Sequence, residues 1–338
     1  MAASGSLWSR LGDEMSGHLH LLEGDARNPK YRALGRQHLE EIVGKPDLKF
    51  ASRDVELVRA YLLRHPEVSG LFITGGDPMI MSASNLERYI EPLLDPQLES
   101  LQTIRIGTKA TAYWPYRFTS DDDADAVLLL FERVQRAGRQ LVVVTHYSRP
   151  RELLPSAAQE AVCRIRSTGA VIFCQAPVIR RVNDSADIWA DLWQAELKLG
   201  CVPYYMFIER DTGPKNYFEI PLLCAFNIFR DAYRRVSGVA RTVRGPVMSA
   251  TPGKVIIDGI STIQGERVFV LRFLRARDPD WEGWPFFARF DPSATWFTDL
   301  VPAFGDARFF YEERMEQIVR EKAGGTLGDV PLATTGKV

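Results

Sequence analysis

Five places in the 338-residue sequence put polar, chemistry-bearing residues directly after a short apolar run. They are Thr74-Gly75-Gly76-Asp77-Pro78, Arg105-Ile106-Gly107-Thr108-Lys109, Thr145-His146-Tyr147, Gln175, and Glu209-Arg210-Asp211. Paired glycines reach positive φ and admit a close ligand, so Gly75 and Gly76 can turn amides toward a carboxylate or leave a carbonyl free for an ammonium. His146 and Gln175 can each donate and accept a hydrogen bond. Singly, these residues also suit duller duties: a structural turn uses Gly-Gly-Asp-Pro, a histidine can be satisfied in a core, and a glutamine can bond backbone. Their recurrence at five successive run ends points to a small-molecule site.

The elements that must position them follow from periodicity. Apolar, β-branched or aromatic runs at 70–74, 103–107, 141–145, 171–175 and 204–208 read as strands, and amphipathic helical patterns fill the intervals. That alternation predicts parallel strands in an α/β fold, and a β/α barrel places its site at the C-terminal strand ends. The pattern over 53–65 predicts a helix closed by Pro66. Ser84 and Asn85 are candidate caps of the next helix, Asp121 to Asp123 open a third that ends near Gly138, and Asn183 and Asp184 open a fourth. Before residue 50 only a lone helix over 29–43 is expected. After residue 240 glycine, proline and short strands such as 254–257 and 267–273 predict an irregular, β-containing region with a terminal helix and a mobile tail from Ala323. The expected organisation is therefore an N-terminal helical segment over 1–50, a partial barrel over 51–240 and a C-terminal region over 241–338.

Composition narrows the function classes. Lys and Arg total 42 against 43 Asp and Glu, so no overall basic surface advertises a nucleic acid or an acidic membrane. Asp13 and Glu14 interrupt the place of a signal peptide, and no window approaches a membrane span, which predicts a cytoplasmic protein. The four cysteines, Cys163, Cys174, Cys201 and Cys224, stand far apart and read as plain thiols.

The segments VGKPDLKFASRDVE, LFITGGDPMIM, TIRIGTKATAYWPYRFT, QAPVIRRVND, LGCVPYYMF, RDTG and VRGPVMSATPGKV, in this order from about Val43 to Phe310, resemble the lysine 2,3-aminomutase (KamA-like) family of radical S-adenosylmethionine proteins. The resemblance implies a radical SAM-type barrel, an amino-acid isomerase lineage and an amino-acid substrate, with a homo-oligomer possible. It assigns Gly75, Gly76, Asp77, His146 and Gln175 to S-adenosylmethionine. It also makes Asp211 and Asp258 the counterparts of two carboxylates that hold the substrate's distal ammonium, the match at Asp211 requiring a small insertion or deletion.

Two family features are missing from the sequence. The family's [4Fe-4S] cluster hangs on a C-x-x-x-C-x-x-C loop, and the stretch where it belongs reads Gln37-His38-Leu39-Glu40-Glu41-Ile42. Asn28 to Leu34 resembles a segment that normally precedes the first barrel strand, so an internal deletion is expected to have removed that strand and its loop together. The expected consequence is an open sheet edge for some other segment or chain to cover, and a protein unable to start radicals. The family's pyridoxal phosphate lysine follows the second carboxylate. Residues 259–266 after Asp258 contain no lysine, and Lys254 is expected to be an ordinary strand-end charge. The alternative is a non-catalytic protein that binds S-adenosylmethionine or an amino acid, or that scaffolds a partner.

Overall fold

The structure, a computed structural model, describes residues 55–74, 77–209 and 215–324. The expected 29–43 helix, the 1–50 segment, Gly75, Gly76, Asp211 and the tail from Gly325 lie outside the described residues. Its elements run α1 (Val55–Arg64), β1 (Gly70–Ile73), α2 (Ala83–Ile90), β2 (Thr103–Thr108), α3 (Ala110–Tyr113), α4 (Ala124–Arg136) and β3 (Gln140–His146). There follow α5 (Ser156–Ser167), β4 (Val171–Val178), α6 (Ala186–Lys198), β5 (Val202–Ile208), α7 (Lys215–Phe218), α8 (Leu222–Tyr233), β6 (Arg244–Ala250), β7 (Gly253–Ile263), β8 (Glu266–Ala276), β9 (Pro285–Arg289) and α9 (Glu312–Gly324).

The nine strands form one sheet in the order of the chain. β1 to β6 are parallel and β7 to β9 antiparallel. Successive parallel neighbours joined by helices are the signature of a β/α barrel, and this sheet remains open, with β1 at one edge and β9 toward the other. It is a partial barrel, as the sequence predicts. Among the described residues β1 has no strand on its outer side.

The helices cover one face. On β2 and β4 burial alternates with period two: Ile104, Ile106, Ile172, Cys174 and Ala176 point into the helix layer and join the main core. Side chains of the opposite parity line the concave face in two small clusters, Phe72 with Val142 and Val144, and Tyr205 with Val247 and Ile256. No helix among the described residues is long and apolar enough to cross a membrane.

Local signals are mostly obeyed. Pro66 follows α1, and Gly138 ends α4 at a φ of 76° where a Cβ would be strained. Two caps differ from expectation. Ser82 caps α2, its hydroxyl accepting the amide of Asn85, so Ser84 and Asn85 are already inside the helix. Ser185 caps α6. Asn183 is fully buried and folds the preceding loop instead: its Oδ1 accepts the Ile179 amide (2.7 Å) and its Nδ2 donates to the Pro177 carbonyl (3.0 Å). A buried amide has more to satisfy than a cap requires.

β6 is absent from the sequence reading because Gly245-Pro246 looks like a turn. It pairs with β5 on one side and β7 on the other, so the sheet runs unbroken past residue 240. The strands expected at 254–257 and 267–273 are the middles of two eleven-residue strands joined at Gln264-Gly265, both in the left-handed region that a tight hairpin needs. Irregularity is concentrated after Arg289.

Candidate functional site

The C-terminal rim of the parallel strands is built around Asp77. Its Oδ1 accepts the Met79 amide (3.0 Å) and the Thr108 hydroxyl (2.6 Å), and its Oδ2 accepts the Lys109 amide (2.7 Å) and the Tyr113 hydroxyl (3.3 Å). Both oxygens are engaged within the protein. Asp77 thus fixes the loop after β1 against the end of β2 and shapes the rim from beneath.

His146 ends β3, and its register partner across the ladder is Gln175 on β4. The two are adjacent on the concave face, one parity step beyond Val144 and Phe173. His146 Nε2 lies 3.1 Å from the Ser148 hydroxyl, which also accepts from Lys109 Nζ at 3.4 Å. Burial, with the Lys109 charge added, pushes the imidazole pKa down to about 4. The ring is neutral at physiological pH. The Gln175 side chain makes no hydrogen bond among the described residues, so its amide remains available to a ligand.

Farther round the sheet the concave face becomes cationic and aromatic. The Arg244 guanidinium lies over Tyr204 (4.7 Å to the ring centroid) and Tyr205 (4.4 Å), and Lys254 Nζ lies over Tyr205 (4.8 Å) and Phe207 (5.3 Å). Arg105 stacks on Phe72 at 5.0 Å. These contacts rest positive charge on aromatic rings. Lys254 lies at the start of β7, as expected of a strand-end charge, and its ammonium sits on the concave face. Strand parity could have found it: Lys254 and Ile256 share a face of β7, and Ile256 joins the Tyr205 cluster.

Of the two carboxylates expected to hold an ammonium, only Asp258 is among the described residues. Asp211 lies outside them. Asp258 is held bidentately by Arg272, Nε to Oδ2 at 2.7 Å and Nη2 to Oδ1 at 3.0 Å, which neutralises it. That pair leaves no signal in the sequence, because it crosses the β7–β8 hairpin at a register shift. Glu209, directly after β5, has no ion pair among the described residues, and burial raises its pKa.

An iron–sulfur cluster of the family's kind needs three closely spaced thiolates. All four cysteines are placed: Cys163 and Cys224 are exposed on α5 and α8, while Cys174 and Cys201 are buried. Among the described residues no three His, Cys, Asp or Glu side chains gather closely enough to hold a metal ion. The cysteines present do not fit the three-thiolate cluster.

No protein-family profile matches the chain. It is similar to an inferred L-lysine 2,3-aminomutase of Aquifex aeolicus, 32% identical over 251 residues, covering 74% of this chain and 64% of that protein. It is also similar to the L-lysine 2,3-aminomutase of Escherichia coli, 24% identical over 206 residues, covering 61% of this chain and 57% of the relative. The chain thus spans less than two thirds of either relative. Among solved structures, a radical SAM methyltransferase from Sphaerobacter thermophilus aligns with a TM-score of 0.34 at 16% identity, over 49% of this chain and 47% of that one, too weak a likeness to bear on the chemistry.

Proposed function

Since the chain belongs to the lysine 2,3-aminomutase (KamA-like) family of radical S-adenosylmethionine proteins, we propose that it binds S-adenosylmethionine on the concave face of its partial barrel and does not start radicals with its own residues. The observation that carries the binding half is the Gln175 amide, which makes no hydrogen bond among the described residues, beside a neutral His146 on a face that also carries Arg105 and Arg244.

S-adenosylmethionine brings a carboxylate, an ammonium, a sulfonium and a flat adenine. Arg105, Arg244 and Lys254 suit the carboxylate, since a guanidinium or ammonium donates charge-assisted hydrogen bonds. Gln175 can read a group that both donates and accepts. The tilted ring pair Phe173–Tyr204, centroids 4.6 Å apart, offers a face for the base. Glu209, half-buried and without an ion pair among the described residues, suits an ammonium.

The catalytic half rests on the cysteines. A [4Fe-4S] cluster would supply the electron that cleaves S-adenosylmethionine, and the dispersed thiols do not fit it. Pyridoxal phosphate finds no lysine in residues 259–266. The amino-acid isomerase activity of the lineage is therefore not assigned to this chain. Calorimetric titration with S-adenosylmethionine tests the binding: wild type gives saturable heat, and Gln175→Ala weakens it about tenfold, as loss of a buried hydrogen-bonding partner does. No heat with folded wild-type protein, or an unchanged titration in Gln175→Ala, defeats the proposal.

A further inference from the structure

A cavity lies far along the sheet, where β9 meets the irregular chain that follows it. It is an open cleft of about 410 Å³, with Trp284, Phe287, Phe304 and Phe310 among its walls and Asp280 and Asp306 at its rim. That volume lies within the range of small-molecule sites. Nothing proposed for the concave face uses any of these residues.

The exposure is unusual in kind. Trp284 is 66% exposed, Phe310 52% and Phe304 36%, although neighbouring aromatic rings form a tightly packed cluster. Phe310 is anchored edge-on to Phe286 (5.7 Å between centroids) and to Phe273 (6.2 Å), and Phe304 is anchored to Phe287 (5.7 Å). Exposed aromatic surface around one cleft marks an interaction site.

Phe304 also carries backbone strain. Its φ is 61°, in the left-handed region that a bulky side chain avoids, and Gly305 follows at 80°. The Phe304 amide donates to Glu266 Oε2 at 2.9 Å, which pins the conformation. A strained residue that turns a large ring outward gains nothing for the core, and such strain collects at ligand sites.

Charge selects the occupant. Neither the Asp280 nor the Asp306 carboxylate has an ion pair among the described residues, whereas the one lining cation, Arg308, is paired with Glu316 at 3.2 Å. The cleft therefore combines aromatic rings, whose faces are electron-rich, with two carboxylates that have no ion pair among the described residues. Both features attract positive charge, and both repel an anion.

We propose that this cleft binds an organic cation, a quaternary or protonated alkylamine, through ring faces and the two rim aspartates. The reading is independent of the concave-face proposal, and either can fail alone.

Titration of the full chain with choline, followed by calorimetry and tryptophan fluorescence, tests it against the neutral carbon isostere of choline. Saturable choline binding is expected, with the isostere about tenfold weaker. Trp284→Ala weakens choline about tenfold while Trp284→Phe, which keeps a ring face, largely retains it. Asp280→Asn with Asp306→Asn weakens choline and leaves the isostere unchanged. Equal binding of choline and isostere, or no saturation with folded protein, overturns the proposal. So does a sedimentation profile in which Trp284→Ala dissolves a dimer, because a second copy then occupies the cleft.

Discussion

At the scale of single residues, His146 carries a measurable sign. Its pKa of about 4 means that the folded protein leaves the ring neutral where an unfolded chain, titrating near 6.5, has already protonated it. Folding stability from this group is therefore fully present above roughly pH 6.5 and is lost as pH falls through about 4. Thermal melts should show the wild type losing ground to His146→Gln across that window, with the two parallel from pH 7 to 8. A difference between them that stays constant from pH 8 to 4 would mean the ring is not protected from protons. His146 ends β3 and Gln175 lies within β4, so their nearness to strand ends, where this architecture puts chemistry, was legible in the sequence. Asp77 was legible only as a site member: that it spends both oxygens on Met79, Thr108, Lys109 and Tyr113 depends on contacts up to 36 residues away. The ion pair of Asp258 was illegible for the same reason, since its partner Arg272 sits on another strand.

At the scale of elements, the turn that opens the rim hangs on Arg117. This side chain, 1% exposed, donates Nε to the Met79 carbonyl (2.8 Å) and Nη2 to the Met81 carbonyl (2.9 Å), and Nη1 meets Asp123 at 2.6 Å. It ties the short turn after β1 to the start of α4. Removing it strands two buried carbonyls and a carboxylate, so Arg117→Ala should cost about 3 to 5 kcal/mol in urea denaturation. A loss below about 1 kcal/mol would show that water replaces the guanidinium freely. Five parallel strands were visible in the sequence because their cores are continuous apolar runs between helical patterns. β6 was not, because its Gly245-Pro246 pair carries turn chemistry while its place between β5 and β7 is decided by the ladder on both sides. The hairpin strands were found in part, since β7 changes from buried to exposed residues midway and hides its length.

At the scale of the whole molecule, the open sheet joins fold and function. An open sheet exposes its concave face more widely than a closed barrel does, and among the described residues this face carries the unbonded Gln175 amide, a neutral His146 imidazole and cations resting on rings. The cysteines remain scattered through α5, β4, the approach to β5, and α8. The chain is accordingly similar to lysine 2,3-aminomutases while its thiols are too dispersed for a three-thiolate cluster. The most direct test is anaerobic reconstitution of the purified full chain with iron and sulfide, counting both per chain and following S-adenosylmethionine cleavage under reductant. The predicted result is substoichiometric, adventitious iron and intact S-adenosylmethionine. A full four-iron, four-sulfide cluster per chain, redox-active and cleaving S-adenosylmethionine, would contradict the account.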